Sequence, residues 1–402
     1  MDKIKLNNGD IVEFNGYSET FKSDIVLFRV YIHGEITPKF LNQIDIYAKL
    51  PLSGEVELKP VIIGNIKPFK PQLIYVPPED PHRWDDIPSV KDKVVFILVH
   101  GINPEEILDR KPDIYDIWQT PYKYHIWDTA HNMIYKHIEN SVILHYIYPS
   151  AIERLTYNAQ ALRDKLLKTN IEKAKKVIFI GHSMGGLVIR QMLIESEWLR
   201  DITTHVFTLN TPHRGSPLAS LMFTPHEFWD YMESKGDEAI KKARRIRQAV
   251  ALTYHSGGAV MSQGYLDLRW DHLDKLERFP LMLSEEIYNL NLNDKFNRYT
   301  FTTSSIPKYH LGLSILKLTD KMYHEPKDHI GLIMMQKLME SMGELLQTGI
   351  WQEGDGLVPI SSQIPVKYME NGLNFNILGP FSGDHIDIFT RPFIWEKILK
   401  LI

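Results

Sequence analysis

In the stretch Val177-Ile178-Phe179-Ile180-Gly181-His182-Ser183-Met184-Gly185-Gly186, an apolar run leads into a glycine-rich turn. The run is typical of a strand that is covered on both faces, and the Leu187–Leu199 segment that follows has helical spacing. In a Gly-x-Ser-x-Gly turn of this kind the serine hydroxyl stands clear of the backbone. Glycines two residues to either side avoid collisions with the neighbouring strand and helix. The pattern predicts Ser183 as a nucleophile.

Strands and helices alternate along the chain around this segment. Apolar runs predict strands at Val94–Val99 and Val142–Tyr148, and a further strand is predicted at His205–Asn210. Glu153–Lys168 has apolar residues at helical spacing. This order is typical of an α/β fold in which helices cover both faces of a mostly parallel, doubly wound sheet. The alternation stops near Pro212, which predicts a lid or cap insertion over about residues 213–295 before the sheet resumes.

The first part of the chain has a different character. Residues 1–88 contain short β-rich runs separated by Gly, Pro and Asn turns, among them Gln72–Val76, and they end in a proline-rich polar stretch. We therefore expect a small N-terminal all-β domain over residues 1–88 and a catalytic domain over residues 89–402.

Composition narrows the classes of function. The 402 residues carry a net charge of −4, which gives no reason to expect nucleic acid or an anionic membrane as a partner. Because the chain has no cysteine, disulfides, thiolate metal sites and cysteine nucleophiles are excluded. The apolar runs are too short for a transmembrane segment, and the first ten residues lack the apolar region of a signal peptide. The compartment stays open: the protein is cytoplasmic as the sequence stands, or secreted if a signal peptide was removed. The oligomeric state also stays open.

A second motif follows the predicted strand Val94–Val99. Acyl transfer needs backbone donors directed at the oxyanion that develops on the substrate carbonyl. The residue after the nucleophile supplies one such amide, which here is Met184. The other comes from the loop after an earlier strand, and His100-Gly101 predicts that it is the amide of Ile102.

The general base is expected to be a histidine late in the chain, preceded by an acid. His385 lies in a glycine-rich loop before the last helix, whereas His324 and His329 precede the best acid and would break the order. That acid is Asp355 on an Asp-Gly turn, where its carboxylate would fix the imidazole tautomer, although Asp-Gly is also an ordinary turn sequence. Asp384 is too close to the histidine in sequence to face its far nitrogen.

Taken together, these motifs resemble the α/β-hydrolase lipases and esterases, and the chain is most similar to bacterial triacylglycerol lipases and deacylase-type serine esterases. Besides Gly181–Gly185 and His100-Gly101, the resemblance includes the block Asn210–Ala219, which in such lipases leads into the lid, and the Asp355–Pro359 turn. It covers about residues 93–402. The resemblance implies hydrolysis of carboxylic esters through an acyl-enzyme, with no organic cofactor.

The resemblance also implies a candidate metal site. In some bacterial lipases, the aspartate two residues after the catalytic histidine binds a structural calcium ion together with an aspartate upstream of the acid. Asp387 matches the first position, and Asp328 and Asp320 are candidates for the second. Calcium takes several oxygen ligands, of which Asp387 would be one. The alternative is that Asp387 is a plain surface aspartate.

Several functions remain compatible with the sequence. The insertion carries aromatic and sulfur side chains that would cover an acyl pocket in water and contact a lipid interface transiently: Phe223, Phe228, Trp229, Tyr231 and Met232. As a mobile lid, this segment favours a lipase that acts on acyl lipids. The alternative for the segment is a solvated helix packed on the domain. The alternatives are an esterase or thioesterase for soluble short-chain substrates, and a binding protein that keeps the hydrolase fold without turnover.

Overall fold

The structure of the protein is a computed structural model. It describes residues 70–102, 127–150, 153–216, 284–305, 357–365, 375–383 and 387–402, together with positions 219, 264, 267–269, 354, 355 and 385. Before residue 62 it describes the backbone of five short strands: β1 (Lys3–Lys5), β2 (Ile11–Glu13), β3 (Ile25–Arg29), β4 (Ile46–Lys49) and β5 (Glu55–Val61).

The described part of the chain then forms a seven-stranded sheet. Its strands are β6 (Gln72–Val76), β7 (Val94–Val99), β8 (Ser141–Ile147), β9 (Lys176–His182), β10 (Thr203–Leu209), β11 (Tyr299–Ser305) and β12 (Phe375–Ser382). Their order across the sheet is β12-β11-β10-β9-β7-β8-β6. All neighbours pair in parallel except β6, which runs antiparallel to β8.

Helices pack against both faces of this sheet. The described helices are α1 (Asp128–His137), α2 (Leu155–Leu166), α3 (Met184–Glu195), α4 (Glu197–Ile202), α5 (Glu285–Asn293), α6 (Ile360–Gln363), α7 (Asp387–Thr390) and α8 (Pro392–Leu399). Successive side chains of a strand point to opposite faces. The odd-numbered residues of β7 pack in one apolar cluster with Leu162 of α2 and Leu187 of α3. Its even-numbered residues pack in another with Ile134 of α1 and Trp395 of α8. The predicted doubly wound α/β architecture is confirmed.

The helix that follows the serine differs from its prediction. The periodicity of Leu187–Leu199 predicts one helix, but the structure has α3 and α4, which Ser196 separates. Ser196 adopts extended backbone angles (φ −136°, ψ 100°) that end α3. In addition, α3 begins at Met184, directly after the serine, because the turn is tight.

The assignment of Gln72–Val76 to an N-terminal domain is wrong. This strand pairs antiparallel with β8, from Gln72 opposite Ile147 to Val76 opposite Ile143, and so forms an edge of the main sheet. The Tyr135 hydroxyl of α1 donates to the Val76 carbonyl at 2.6 Å and fixes this edge. An antiparallel edge strand does not follow the strand–helix alternation, and the prolines after it imitate a domain linker.

The remaining domain predictions are only partly covered by the described residues. In the N-terminal part, β1 pairs with β2, and β3, β5 and β4 form a three-stranded sheet. The five lid side chains from Phe223 to Met232 lie outside the described residues. The all-β domain over the first part of the chain and the lid stay predictions. Among the described helices, none combines the length and apolar character needed to cross a membrane.

Candidate active site

Ser183 lies on the sharp turn between β9 and α3, at the carboxyl end of a central strand. Its backbone angles are φ 51° and ψ −127°, in a region that costs a non-glycine residue on the order of 1–3 kcal/mol. The Ser183 amide donates to the Leu209 carbonyl of the neighbouring strand at 2.9 Å, which holds the turn in this conformation. Strain of this kind accumulates at functional sites, where the surrounding structure maintains it.

The two flanking glycines permit the turn because other chain segments approach them closely. A Cβ atom on Gly185 would lie 2.2 Å from the Val99 carbonyl oxygen of β7. A Cβ atom on Gly181 would lie 2.5 Å from the Gly186 nitrogen in the first turn of α3. No side chain fits at either position, as the sequence pattern predicts.

Asp355 lies on a buried turn whose backbone fixes one of its carboxylate oxygens. Its Oδ1 accepts hydrogen bonds from the amides of Leu357 at 2.9 Å and Val358 at 2.8 Å. The Asp355 amide in turn donates to the Val358 carbonyl at 3.2 Å. These contacts leave Oδ2 free to face another group.

That group is His385, the predicted general base. Its Nδ1 lies 2.7 Å from Asp355 Oδ2, and its amide donates to the Asp355 carbonyl at 2.9 Å. Because the carboxylate accepts the hydrogen bond, Nδ1 carries the proton and Nε2 keeps a lone pair. The structure therefore joins the predicted acid and base through both side chain and backbone, although 30 residues separate them.

His182 connects this pair to the serine turn. Its Nε2–H donates to the His385 carbonyl at 3.0 Å, and the two imidazole centroids are 4.8 Å apart. Burial and the nearby His385 lower the pKa of His182 well below its usual value, so its ring is neutral. Because Ser183 follows His182 directly, this contact brings His385 next to the serine turn.

The predicted oxyanion-hole residues flank the same turn. Met184 is the first residue of α3, where the amides of the first helical turn have no partner within the helix. Ile102 is the third residue after β7, and a Cβ atom on the preceding Gly101 would lie 3.3 Å from Ser183 Oγ. The Gly101 backbone therefore passes directly beside the serine hydroxyl.

The comparisons with known proteins agree with this topology. Residues 130–315 match the family described as a PGAP1-like alpha/beta domain, and this range includes the serine turn and the strands β8 to β11. Over this range the chain has the α/β-hydrolase fold. No curated protein matches the chain.

Solved structures with this hydrolase fold are similar at low identity. The mature form of the Bacillus licheniformis lipase BlEst2 is 18% identical with a TM-score of 0.37, over 80% of this chain and 98% of that one. The propeptide form of the same lipase is 14% identical with a TM-score of 0.39. The match covers 77% of this chain and about half (49%) of that longer chain. An esterase from Pyrococcus furiosus is 13% identical with a TM-score of 0.39, over 92% of this chain and 93% of that one. None of these likenesses is close enough to transfer an activity.

A second set of contacts attaches the acid turn to the hydrolase sheet. Gln363 of α6 accepts from the Ser304 amide at 2.9 Å and donates to the carbonyls of Ser304 at 3.0 Å and Val358 at 2.8 Å. The Ser362 hydroxyl donates to the Gly215 carbonyl at 2.6 Å and accepts from the Arg214 amide at 3.0 Å. The Asn210–Ala219 block, which the resemblance singles out, thus braces the turn that carries the acid.

Buried charged groups attach the same block to α3. Arg190 donates to Asp294 at 2.7 Å, to Asn291 at 2.9 Å and to His213 Nδ1 at 3.0 Å. Burial and the charge of Arg190 lower the pKa of His213 well below its usual value. Its Nε2–H therefore donates to the Thr208 hydroxyl at 3.0 Å. The serine helix and the Asn210–Ala219 block are held together by a paired buried charge.

Some contacts at the site were not foreseen from the sequence. Nothing in the spacing distinguishes His182, which is the first of the two variable residues of Gly-x-Ser-x-Gly, or Gln363, which follows two serines. The His324 and His329 rivals lie outside the described residues, as do Asp320 and Asp328 and the side chain of Asp387. Within the described part of the chain, no three His, Asp or Glu side chains are arranged to hold a metal ion.

Proposed function

We propose that the protein is a serine hydrolase that cleaves carboxylic esters. The observation that carries this proposal is the 2.7 Å hydrogen bond from His385 to buried Asp355, at the sheet edge where Ser183 lies on its strained turn. A nucleophile, a base and a group that orients the base are the three parts that activate a serine. Their chain order, Ser183, Asp355 and His385, is the order of α/β-hydrolases.

The residues account for each step of the reaction. Ser183 Oγ attacks the ester carbonyl while His385 Nε2 takes the hydroxyl proton, and Asp355 stabilises the imidazolium that forms. The amides of Ile102 and Met184 stabilise the oxyanion of the tetrahedral intermediate. When the intermediate collapses, the protonated His385 gives its proton to the departing alcohol and an acyl-serine remains. Water, activated by the same histidine, then releases the carboxylic acid and restores Ser183.

Covalent labelling tests the nucleophile. A fluorophosphonate probe reacts with a serine only when its hydroxyl is activated, so we expect one label per chain, on a peptide that contains Ser183. The matched control is Ser196→Ala at the other end of α3. It removes a buried hydroxyl that has no hydrogen-bond partner among the described residues. Labelling should persist in Ser196→Ala and vanish in Ser183→Ala. A folded wild-type chain that takes up no label would favour the binding-protein alternative.

For the substrate, we propose the esters of acyl lipids. The support is the predicted lid with its aromatic side chains, which a soluble chain must cover in water. Hydrolysis rates are measured for esters of increasing acyl length, below and above the concentration at which each aggregates. A lipase gains rate when the substrate forms aggregates. Saturation on soluble short-chain esters, with no gain on emulsions, would assign the protein to the esterases or thioesterases.

A further inference from the structure

The buried imidazole of His100 is a group to which the mechanism above gives no role. His100 directly follows β7, and its ring stacks on Tyr148 with centroids 4.4 Å apart and planes inclined by 18°. The Tyr148 hydroxyl also donates to the His100 carbonyl at 2.7 Å. Tyr148 thus fixes both the ring and the backbone of His100.

Two hydrogen bonds define the tautomer of this ring. The Tyr148 amide lies 3.4 Å from His100 Nε2, and an amide can only donate, so Nε2 is the acceptor. The single proton of a neutral imidazole is then on Nδ1, which lies 2.6 Å from the Gly101 carbonyl oxygen and donates to it. Burial lowers the pKa of His100 to about 4, so the ring is neutral near pH 7.

The bond to Gly101 determines the direction of the next amide. The carbonyl of Gly101 and the N–H of Ile102 belong to one planar peptide group, in which a trans arrangement points them in opposite directions. When His100 Nδ1 holds the carbonyl on its own side, the Ile102 N–H is directed to the other side. Gly101 itself passes beside Ser183, whose Cβ would be only 2.7 Å from a Cβ at position 101.

A glycine at this position makes such a restraint necessary. Gly101 has no Cβ atom to limit its backbone angles, so the peptide that follows it can rotate more freely than at any other residue. An oxyanion donor stabilises the transition state only if it is fixed before the charge develops.

We propose that His100 is a positioning residue for ester hydrolysis, which fixes the Gly101–Ile102 peptide so that the Ile102 amide is held ready for the oxyanion. This inference rests on the proposed function.

An isosteric pair of variants separates the hydrogen bond from the bulk of the side chain. In His100→Asn the side-chain amide nitrogen takes the place of Nδ1 and can still donate to the Gly101 carbonyl. His100→Leu has a similar volume and no donor. We expect His100→Leu to lower kcat about 10- to 100-fold with KM unchanged, less than the roughly 10²- to 10³-fold loss when an oxyanion donor is removed. His100→Asn should recover most of kcat.

A control variant and a spectroscopic measurement complete the test. His145→Phe removes another buried histidine, on β8, and should affect thermal stability without changing kcat per folded chain. If the position-100 variants do not fold, the ¹⁵N chemical shifts of His100 in the unmodified protein report its tautomer. We expect the proton on Nδ1. A proton on Nε2, equal kcat losses in the Leu and Asn variants, or no loss in either would overturn the inference.

The two proposals fail in distinguishable ways. If wild-type protein takes up fluorophosphonate and hydrolyses esters while His100→Leu retains full kcat, only the role of His100 is rejected. If wild-type protein neither labels nor hydrolyses esters, the proposed function is rejected and the inference is rejected with it.

Discussion

The serine turn and the acid–base pair meet at one edge of the sheet, yet the chain builds them in different ways. The turn is continuous in sequence from β9 through Ser183 to α3, and two close glycine contacts force its conformation. Asp355 and His385 instead come from separate loops that are joined to each other by hydrogen bonds, and Gln363 attaches the Asp355 turn to β11. The proposed nucleophile therefore depends on local backbone geometry, whereas the proposed base depends on tertiary contacts.

The largest expected effect comes from a change to Ser183, on the turn that depends on local backbone geometry. Ser183→Ala removes the nucleophile and should lower kcat for ester hydrolysis by about 10⁶-fold, as in serine proteases. Because the turn is held by its backbone, the midpoint of urea unfolding should stay close to that of wild type. The matched control is again Ser196→Ala, with wild-type kcat. A folded Ser183→Ala protein that keeps a tenth of wild-type activity would refute the mechanism.

The next largest effect comes from a change to Asp355, in the acid–base pair that depends on tertiary contacts. Asp355→Asn keeps an oxygen for the amides of Leu357 and Val358, but places an NH₂ group against His385 Nδ1 and so favours the wrong tautomer. By analogy with serine proteases, kcat should fall by on the order of 10⁴-fold. Asp267→Asn is the control, since Asp267 is also a buried carboxylate that accepts a backbone amide, that of Leu155 at 2.7 Å. It should lower stability and leave kcat unchanged.

An unchanged kcat in Asp355→Asn would move the orienting role to another acid. A loss of kcat that is matched by a loss of folded protein would mean that the carboxylate acts only through the stability of its turn. Measurement of kcat per folded chain, with the folded fraction taken from urea unfolding, separates these outcomes.

The same comparison explains which parts of the molecule could be predicted from the sequence. The strand β7 is recognisable because both of its faces are covered and its residues form one apolar run. The serine turn is recognisable because its steric requirements fall on adjacent residues. The sequence places strand β6 in the wrong domain because an edge strand is recognised only with its partner β8, which lies far along the chain at Ser141–Ile147. The contact of His182 with the His385 carbonyl leaves no trace in local spacing.

Acid pH should lower the stability of the native protein, because two histidines near Ser183 are buried in the neutral form. The pKa of His100 is lowered to about 4 and that of His182 is also lowered, in both cases mainly by burial. Because the unfolded chain binds these protons near pH 6.5 and the native chain does not, their contribution to stability is complete above pH 6.5. It is lost as pH falls toward 4, and for His100 it amounts to on the order of 3 kcal/mol.

Urea unfolding at several pH values measures this dependence. We expect the free energy of unfolding to decrease steadily from pH 6.5 to 4. His182→Gln, which cannot take up a proton, should reduce the slope by about 1.4 kcal/mol per pH unit. An identical slope in wild type and His182→Gln would mean that His182 does not resist protonation in the native protein.

The smallest expected effect concerns the hydrogen bond between His182 and His385, which links the two regions. His182 lies beside the nucleophile in sequence, and its Nε2–H holds the His385 backbone at 3.0 Å. In His182→Gln the amide nitrogen can replace Nε2 as the donor, whereas His182→Met has a similar length and no donor. One hydrogen bond contributes about 0.5–1.5 kcal/mol, so His182→Met should lower kcat by up to about tenfold, and His182→Gln should recover most of it. His205→Met serves as the control, because His205 bonds to the Thr300 hydroxyl instead. If the Met and Gln variants at position 182 lose kcat equally, the serine turn positions His385 through ring packing rather than through this bond.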